Sequence, residues 1–323
     1  MSRAGEPARA LTGRSREIQQ LREQVRHLAA TRAPVLLEGE PGTGKSVVAR
    51  ALHYGGPRRE RRFERVDCAA LSEAMQAETL FGAAGQPGAF ERADGGSLLV
   101  HDIDRASASV QLRLLHFLQA RTIERADAAR PPGVSGKGAR AERGRVSSDV
   151  RLIAASDRDL AAEVSAGRFR DDLHHLLAVT RVHVPPLRAR LEDLPLLVRE
   201  LVRAANRVHG RRVPGVTAGV LERLSRHDWP GNVAELKETL SDMVGSVRGR
   251  RPLDLESLPA ALQSAGGSGD RVELTVGMTL ASAERRLVEA TLAYTRGDKP
   301  RAAALLGIGL RTLYRRLDEW GRG

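Results

Sequence analysis

The stretch Gly39-Glu40-Pro41-Gly42-Thr43-Gly44-Lys45-Ser46 follows the apolar run Val35-Leu36-Leu37 and leads into residues 47–52, which read as a helix. It satisfies G-x-x-x-x-G-K-[ST] in the order strand, glycine loop, helix. Glycines at this spacing let successive backbone N–H groups curl around a phosphate, and the helix that follows offers its positive end. Lys45 is placed to neutralise β- and γ-phosphates, and the Ser46 hydroxyl to meet Mg²⁺. Gly39, Glu40, Pro41, Gly42, Thr43, Gly44, Lys45, Ser46 and Val47 are therefore the expected nucleotide-binding residues, with ATP and Mg²⁺ as the ligands.

Upstream of this loop, Ile18, Leu21, Val25 and Leu28 recur at helical spacing behind Ser15, a suitable cap. Downstream, 98–103 and 152–155 read as buried strands separated by a helical segment at 110–119. The alternation predicts an α/β fold, a mainly parallel sheet covered by helices. After Pro185-Pro186 the pattern changes to successive helices at 191–208, 219–226, 233–247 and 255–263, a helical subdomain. The run Ser264-Ala-Gly-Gly-Ser-Gly-Asp270 has the composition of a flexible linker. Residues 130–146 hold Arg130, Lys137, Arg140, Arg143 and Arg145 against Glu142 alone, with Pro131-Pro132, and read as a mobile surface loop.

The chain has 323 residues, enough for about two domains, and a formal charge of +12. Only Lys45, Lys137, Lys237 and Lys299 among its 52 basic residues are lysines, the bias that GC-rich codons produce, so part of the charge reflects genome composition. Cys68 is the single cysteine, which excludes an internal disulfide and a Cys-x-x-Cys metal motif and points to a reducing cytoplasm. In Val-Asp-Cys-Ala-Ala it reads as a small buried residue. Residues 1–10 lack an apolar leader core, and no stretch approaches the roughly 18 apolar residues of a membrane span. A soluble cytoplasmic protein without membrane contact is expected.

Leu11-Thr-Gly-Arg-Ser15, Gly39 to Ser46, Val66-Asp-Cys-Ala-Ala70, Leu80-Phe-Gly82, Ala93-Asp-Gly-Gly96, Gly167-Arg-Phe-Arg-Asp-Asp-Leu173, Pro185-Pro-Leu-Arg188 and Trp229-Pro-Gly-Asn-Val233 occur in this order. Through them the chain resembles, over residues 11–263, the central AAA+ domain of bacterial enhancer-binding proteins, the activators of sigma-54 RNA polymerase. The resemblance implies an AAA+ P-loop NTPase core with a helical lid, ring assembly and ATP-driven remodelling of the polymerase. The expected organisation is a disordered N-terminus at 1–10, the α/β nucleotide-binding subdomain at 11–190, the lid at 191–263, a linker at 264–278 and a DNA-binding domain at 279–323. No receiver or ligand-sensing domain is expected ahead of Leu11.

Several motor positions depart from that family. Its Walker B strand ends in Asp-Glu, for Mg²⁺ and the attacking water, where this chain has His101-Asp102. Magnesium prefers oxygen, so His101 is a poor substitute, and it reads as a neutral histidine at a strand end rather than a zinc ligand. Asp102 is left for the base and metal roles, one methylene shorter than glutamate; a one-residue slip into the metal position is opposed by the alternation of strand side chains. Asp157 stands at the family's sensor asparagine, where its charge would repel a γ-phosphate unless protonated or paired. Arg170 matches the first arginine finger, but the second is Leu176 and the lid arginine is Ala234. The resemblance thus implies Asp102, Asp157 and Arg170 as catalytic residues and Ser46 and Asp102 as metal donors, with hydrolysis weakened. His174-His175, where the family has aromatic residues, read as a packing pair. In place of the polymerase-contacting GAFTGA loop stands Ala83-Ala-Gly-Gln-Pro-Gly-Ala-Phe-Glu-Arg92, in which Gly88-Ala-Phe90 looks like the start of the motif but is followed by Glu91.

At the C-terminus, Leu287, Ala290 and Tyr294 predict one helix, Lys299 to Leu306 a second and Leu310 to Trp320 a third, with a tight Gly307-Ile-Gly309 turn. This helix-turn-helix pattern resembles the Fis-type DNA-binding domain of the same activators. Leu313 and Leu317 should pack inward, leaving Arg311, Thr312, Arg315 and Arg316 for double-stranded DNA, Tyr314 for phosphate or core, and Lys299 and Arg301 for phosphates. Residues 281–323 hold nine basic and five acidic side chains and 130–146 five and one, so two thirds of the +12 lies in these two segments. The expected protein is an ATP-binding, DNA-binding, homo-oligomeric regulator (dimer or ring) with weak or absent hydrolysis and impaired sigma-54 contact. The alternative is an active AAA+ ATPase that remodels sigma-54 RNA polymerase.

Overall fold

The computed structural model describes residues 11–83, 86–124, 145–247, 249–264, 277–295 and 297–320. The expected disordered segment 1–10, residues 130–144 of the expected basic loop and residues 265–276 of the expected linker lie outside them.

Described residues up to Leu201, with Trp229–Leu240, make one compact unit. It opens with α1 (Arg16–Ala29), capped by the Ser15 side chain, which accepts the Ile18 N–H at 3.3 Å. β1 (Val35–Glu38) enters the glycine loop and α2 (Lys45–Tyr54) leaves it. There follow β2 (Phe63–Asp67), α3 (Glu73–Phe81), the short α4 (Ala89–Arg92), β3 (Ser97–His101), α5 (Ala108–Ala120), β4 (Thr122–Glu124), β5 (Arg145–Ser147), β6 (Arg151–Ser156), α6 (Leu160–Ser165), α7 (Asp171–Ala178) and β7 (Arg181–His183). Arg145 and Val146, expected in a loop, instead belong to β5, which pairs antiparallel with β4.

Five strands form a parallel sheet in the order β2-β3-β6-β1-β7. Strands covered on both faces need an apolar side chain at every position, which is what Val35-Leu36-Leu37 and Leu98-Leu99-Val100 provide. The pleat sends alternate residues to opposite cores. Leu36, Leu98, Val100, Leu152 and Ala154 join α5 and α7 on one face, while Val35, Leu37, Leu99, Ile153 and Ala155 join α1 and α2 on the other. The two edge strands, β2 and β7, were not expected. Each buries little beyond one valine, Val66 or Val182, among charged neighbours, so neither carries an apolar run.

Beyond β7 lie a 3-10 segment (Leu187–Asp193), α8 (Leu194–His209), α9 (Ala218–Ser225), α10 (Asn232–Ser246) and α11 (Ala260–Ser264). The helix expected at 255–263 is broken. Leu255–Ser257 is a separate 3-10 turn, and Leu258 is extended (φ −71, ψ 143) because the Pro259 ring disfavours a helical residue before it.

Val202–Asp228 with the described residues from Ser241 onward make the second unit. Within it α12 (Leu280–Tyr294), α13 (Lys299–Leu305) and α14 (Leu310–Trp320) surround a core of Val288, Ala302, Ala303 and Leu313, with Leu292, Ile308, Leu317 and Trp320 at its margin. The apolar face of α12 differs from the expected one. Leu287 and Tyr294 are 46% and 48% exposed, and the inward pair is Val288 and Leu292, one residue on from Leu287. Among the described residues no helix is long and apolar enough to cross a membrane.

Candidate nucleotide site and nucleic-acid interface

Gly42 and Gly44 have left-handed φ of 75° and 106°, so the loop between β1 and α2 turns twice where a side chain would be strained. Lys45 is buried. Its Nζ donates to Gly39 O at 2.8 Å and Glu40 O at 2.9 Å, and the Asp157 carboxylate forms an ion pair with it. The carboxylate expected to repel phosphate is therefore paired with the lysine that would bind phosphate. Thr43 is buried and donates to Glu40 O at 2.8 Å, Ser46 is half-buried, and Val47 is 38% exposed.

The 229–234 turn clasps the loop from outside. Asn232, fully buried with φ 54°, donates from Nδ2 to Pro41 O at 2.9 Å and Glu40 Oε2 at 3.2 Å, and accepts from the Leu187 N–H at 2.8 Å. Ala234 N donates to Gly42 O at 3.2 Å, and a Cβ at Gly42 would lie 2.2 Å from Gly231 O. Arg188 grips the Glu40 carboxylate with both Nη atoms. With the bonds from Arg188 and Asn232, the Glu40 carboxyl is held down at about 2. Arg190, also buried, donates to Thr43 O at 3.0 Å; burial lowers its pKa while Asp193 raises it. Asp193, fully buried, accepts from Ser15 N at 2.9 Å and Ser15 Oγ at 2.6 Å, and a Cβ at Gly13 would strike its carboxylate at 2.4 Å. The roles of Asn232, Arg190 and Asp193 escaped sequence reading. Their partners lie 45 to 192 positions away, and only the ordered motifs around them gave a signal.

At the carboxyl end of β3, His101 Nδ1 lies 3.0 Å from Asp102 Oδ1. The imidazole beside it draws the Asp102 carboxyl below its ordinary range, against the raising effect of burial. Asp67, opposite His101 on β2, completes a set whose donor atoms lie within 4.8 Å of one another. This cluster had no place in the sequence reading, which weighed only cysteine and histidine as companions. An imidazole among two carboxylates does not suit Mg²⁺, which demands oxygen donors. Asp104 is a further acid behind the strand end, buried and accepting from Ser156 Oγ at 3.0 Å. Cys68 is buried, and burial reinforced by Asp67, Asp102 and Asp104 pushes its thiol up to about 12.

Arg170 projects before α7, half-exposed, in a bidentate pair with Asp172 at 2.6 and 3.0 Å. Leu176 packs against the core, in keeping with an apolar rather than a reaching role. His174 is buried but His175 is exposed, 3.6 Å from Asp171, so only the first behaves as a packing residue.

Gly88-Ala89-Phe90 does not open an exposed loop. Ala89 and Phe90 are fully buried in α4, with Phe90 stacked 5.3 Å from Phe81 and tilted against Phe117 at 4.5 Å. Between Gly82 and Gly88, Ala83 and Gln86 form an isolated antiparallel bridge.

On α14, Leu313 is fully buried and Leu317 partly so, as expected. Arg311, Tyr314 and Arg315 are exposed, Thr312 half-buried, and Lys299 lies over the Tyr314 ring at 4.9 Å. Arg301 is exposed beside Asp298, whose side chain caps α13. Arg316 differs from its neighbours: it reaches back to Glu284 on α12 at 3.1 Å and to Glu319 at 3.5 Å.

Residues 11–183 match the model of the sigma-54 interaction domain, 188–274 that of the AAA+ ATPase lid domain, and 279–320 that of the bacterial regulatory protein, Fis family. The chain is 35% identical over 321 residues to the transcriptional regulatory protein ZraR of Escherichia coli K12, covering 96% of this chain and 68% of that one. It is 37% identical over 320 residues to the C4-dicarboxylate transport transcriptional regulatory protein DctD of Pseudomonas aeruginosa, covering 96% and 64%. The crystal structure of NtrX from Brucella abortus in complex with ATP superposes with a TM-score of 0.74 at 28% identity, covering 96% of this chain and 69% of that one.

Proposed function

Since the chain belongs to the sigma-54-dependent activator family and carries its Fis-type helix-turn-helix, we propose that it is a transcriptional regulator that binds ATP and a specific DNA site, with ATP hydrolysis weak or absent and sigma-54 contact impaired. The observation that carries this reading is the end of β3, where His101 and Asp102 face each other at 3.0 Å in the positions that metal and water activation require. A general base needs reach toward the water, and Asp102 is a short carboxylate that its left-handed backbone turns toward His101. The paired Arg170, the absent second finger and the buried Phe90 point the same way. Loss of an essential arginine finger costs on the order of 10³-fold or more in rate.

ATP would lie along Gly39 to Val47, with Lys45 freed from Asp157 to meet the phosphates. NtrX, a relative with a structure in complex with ATP, supports ATP as the ligand. Magnesium would arrive on the nucleotide's own phosphates with Ser46 as its protein donor, the Asp102 set being unsuited to it. Nucleotide occupancy would govern DNA affinity or self-assembly, as a dimer on two half-sites or a ring, in the cytoplasm. Lys299, Arg301, Arg311, Thr312, Tyr314 and Arg315 would meet DNA. ATP binding and hydrolysis measured together, with and without operator DNA, test the reading. Binding abolished by Lys45→Ala with turnover near background is expected. Turnover comparable with active relatives and abolished by Lys45→Ala would overturn it in favour of the polymerase-remodelling motor.

A further inference from the structure

β2 and β3 run in parallel with Asp67 opposite His101, so a carboxylate and an imidazole share the carboxyl edge of the sheet, where open parallel sheets form their ligand crevices. In a continuing strand the next side chain would point to the opposite face. Asp102 does not, because its backbone is left-handed (φ 51, ψ 50), and its carboxylate converges on His101 instead. One donor atom from each of the three residues lies within 4.8 Å of the others. His101 Nδ1 and Asp102 Oδ1 are buried and 3.0 Å apart, yet out of line for a hydrogen bond. Two ligands about 2.1 Å from one tetrahedral ion stand about 3.4 Å apart, so a small side-chain adjustment lets this pair share one.

We propose that Asp67, His101 and Asp102 form a site for a late first-row divalent cation, with Zn²⁺ its representative, at the place where Mg²⁺ does not fit. Imidazole favours such ions, and their affinity for mixed nitrogen and oxygen donors exceeds that of the harder cations. The set is also braced. Asp67 Oδ1 accepts the Ala69 N–H at 3.2 Å and Oδ2 accepts from Arg65 at 2.9 Å, bonds that orient the carboxylate while each oxygen keeps a lone pair for a metal. Three protein donors leave a position for water or a phosphate oxygen. The cation needs no nucleotide, so the site stands or falls apart from ATP binding.

The test is Co²⁺ titration of the full chain, stripped with chelator and free of nucleotide, followed in the visible d–d bands and by Zn²⁺ displacement. One equivalent of Co²⁺ with a band that Zn²⁺ abolishes and excess Mg²⁺ does not is expected. His101→Gln and Asp67→Asn should each weaken binding at least about tenfold. His174→Gln, in the other histidine-bearing cluster, should not. Far-UV circular dichroism checks that each variant is folded, and Asp67→Asn, nearly isosteric at a partly exposed strand end, decides if His101→Gln is not. No band in the wild type, a band that survives in the folded variants, or a band lost in His174→Gln would each overturn the assignment.

Discussion

The Asp157 carboxylate caps the ammonium of Lys45, so the cation at the centre of the phosphate loop is neutralised from within. Two further Lys45 donors go to Gly39 O and Glu40 O, and the lysine side chain is only 2% exposed. An incoming γ-phosphate has to displace Asp157 or bind beside it. Asp157→Asn keeps the shape and removes the charge. It should tighten ATP by about tenfold, the equivalent of roughly 1.4 kcal/mol, and tighten ADP less because ADP lacks the γ-phosphate. Calorimetric titration of both nucleotides reads this directly, and an unchanged ratio of the two affinities would refute the competition.

Asn232 ties the glycine loop to Leu187 through three partner atoms at once, from a backbone conformation that asparagine tolerates and alanine does not. Asn232→Ala should cost about 2–4 kcal/mol from unpaired buried groups, with about 1 kcal/mol more from the left-handed φ. Asn232→Gly recovers the second part only. Urea unfolding of the three proteins should rank them wild type, glycine, alanine; equal losses for the two variants would show that φ carries no cost there.

Parallel-sheet strands with apolar residues at every position were legible in the sequence, as was the glycine loop, because local composition alone specifies them. The edge strands and the phase of α12 were not. Val66 and Val182 sit among charged residues, and on α12 both Leu287 and Val288 are apolar, so only the partners Ala302 and Leu313 decide which faces inward. Site chemistry followed the same division. Lys45 and Asp102 announced themselves by motif position, whereas Asp67 joined His101 only through the β2–β3 register.

Glu40 supplies a pH dependence. Arg188 and Asn232 hold its carboxyl at about 2 against an ordinary 4.5. A depressed acid stabilises the fold above the unfolded value and loses that contribution as pH falls through the folded one. The Glu40-dependent stability should therefore be complete above pH 4.5 and vanish between there and about 2. In denaturation series the gap between wild type and Glu40→Gln should be constant at neutral pH and close in that window. A gap that stays constant down to the acid limit would mean that the carboxylate is not ionised in these contacts.

Phe90 separates two readings of Gly88-Ala-Phe90. In an exposed polymerase-contacting loop, Phe90→Ala would leave stability untouched. Packed between Phe81 and Phe117, it should cost about 3–5 kcal/mol. Thermal unfolding with the wild type as reference distinguishes the two.

Arg315 and Arg316 are neighbours on α14 with different tasks. Arg315 is 68% exposed at its side chain and makes a long contact to Glu319, whereas Arg316 is half as exposed, at 35%, and bridges to Glu284 on α12. Arg315→Ala should therefore weaken operator binding by about tenfold or more while nucleotide binding and the melting of the C-terminal helices stay as in the wild type. It should also make the salt dependence of DNA binding shallower if the contact is to phosphate, and leave the slope unchanged but relax sequence preference if it is to a base edge. Arg316→Ala removes the link that holds the third helix to the first, so its loss of DNA affinity should come with a lower melting temperature. Glu284→Gln, which touches no DNA-facing position, should reproduce that pattern in smaller measure. Equal operator affinity in wild type and Arg315→Ala would remove α14 as the reading helix. A loss in Arg316→Ala without any change in melting would give Arg316 a direct DNA contact instead.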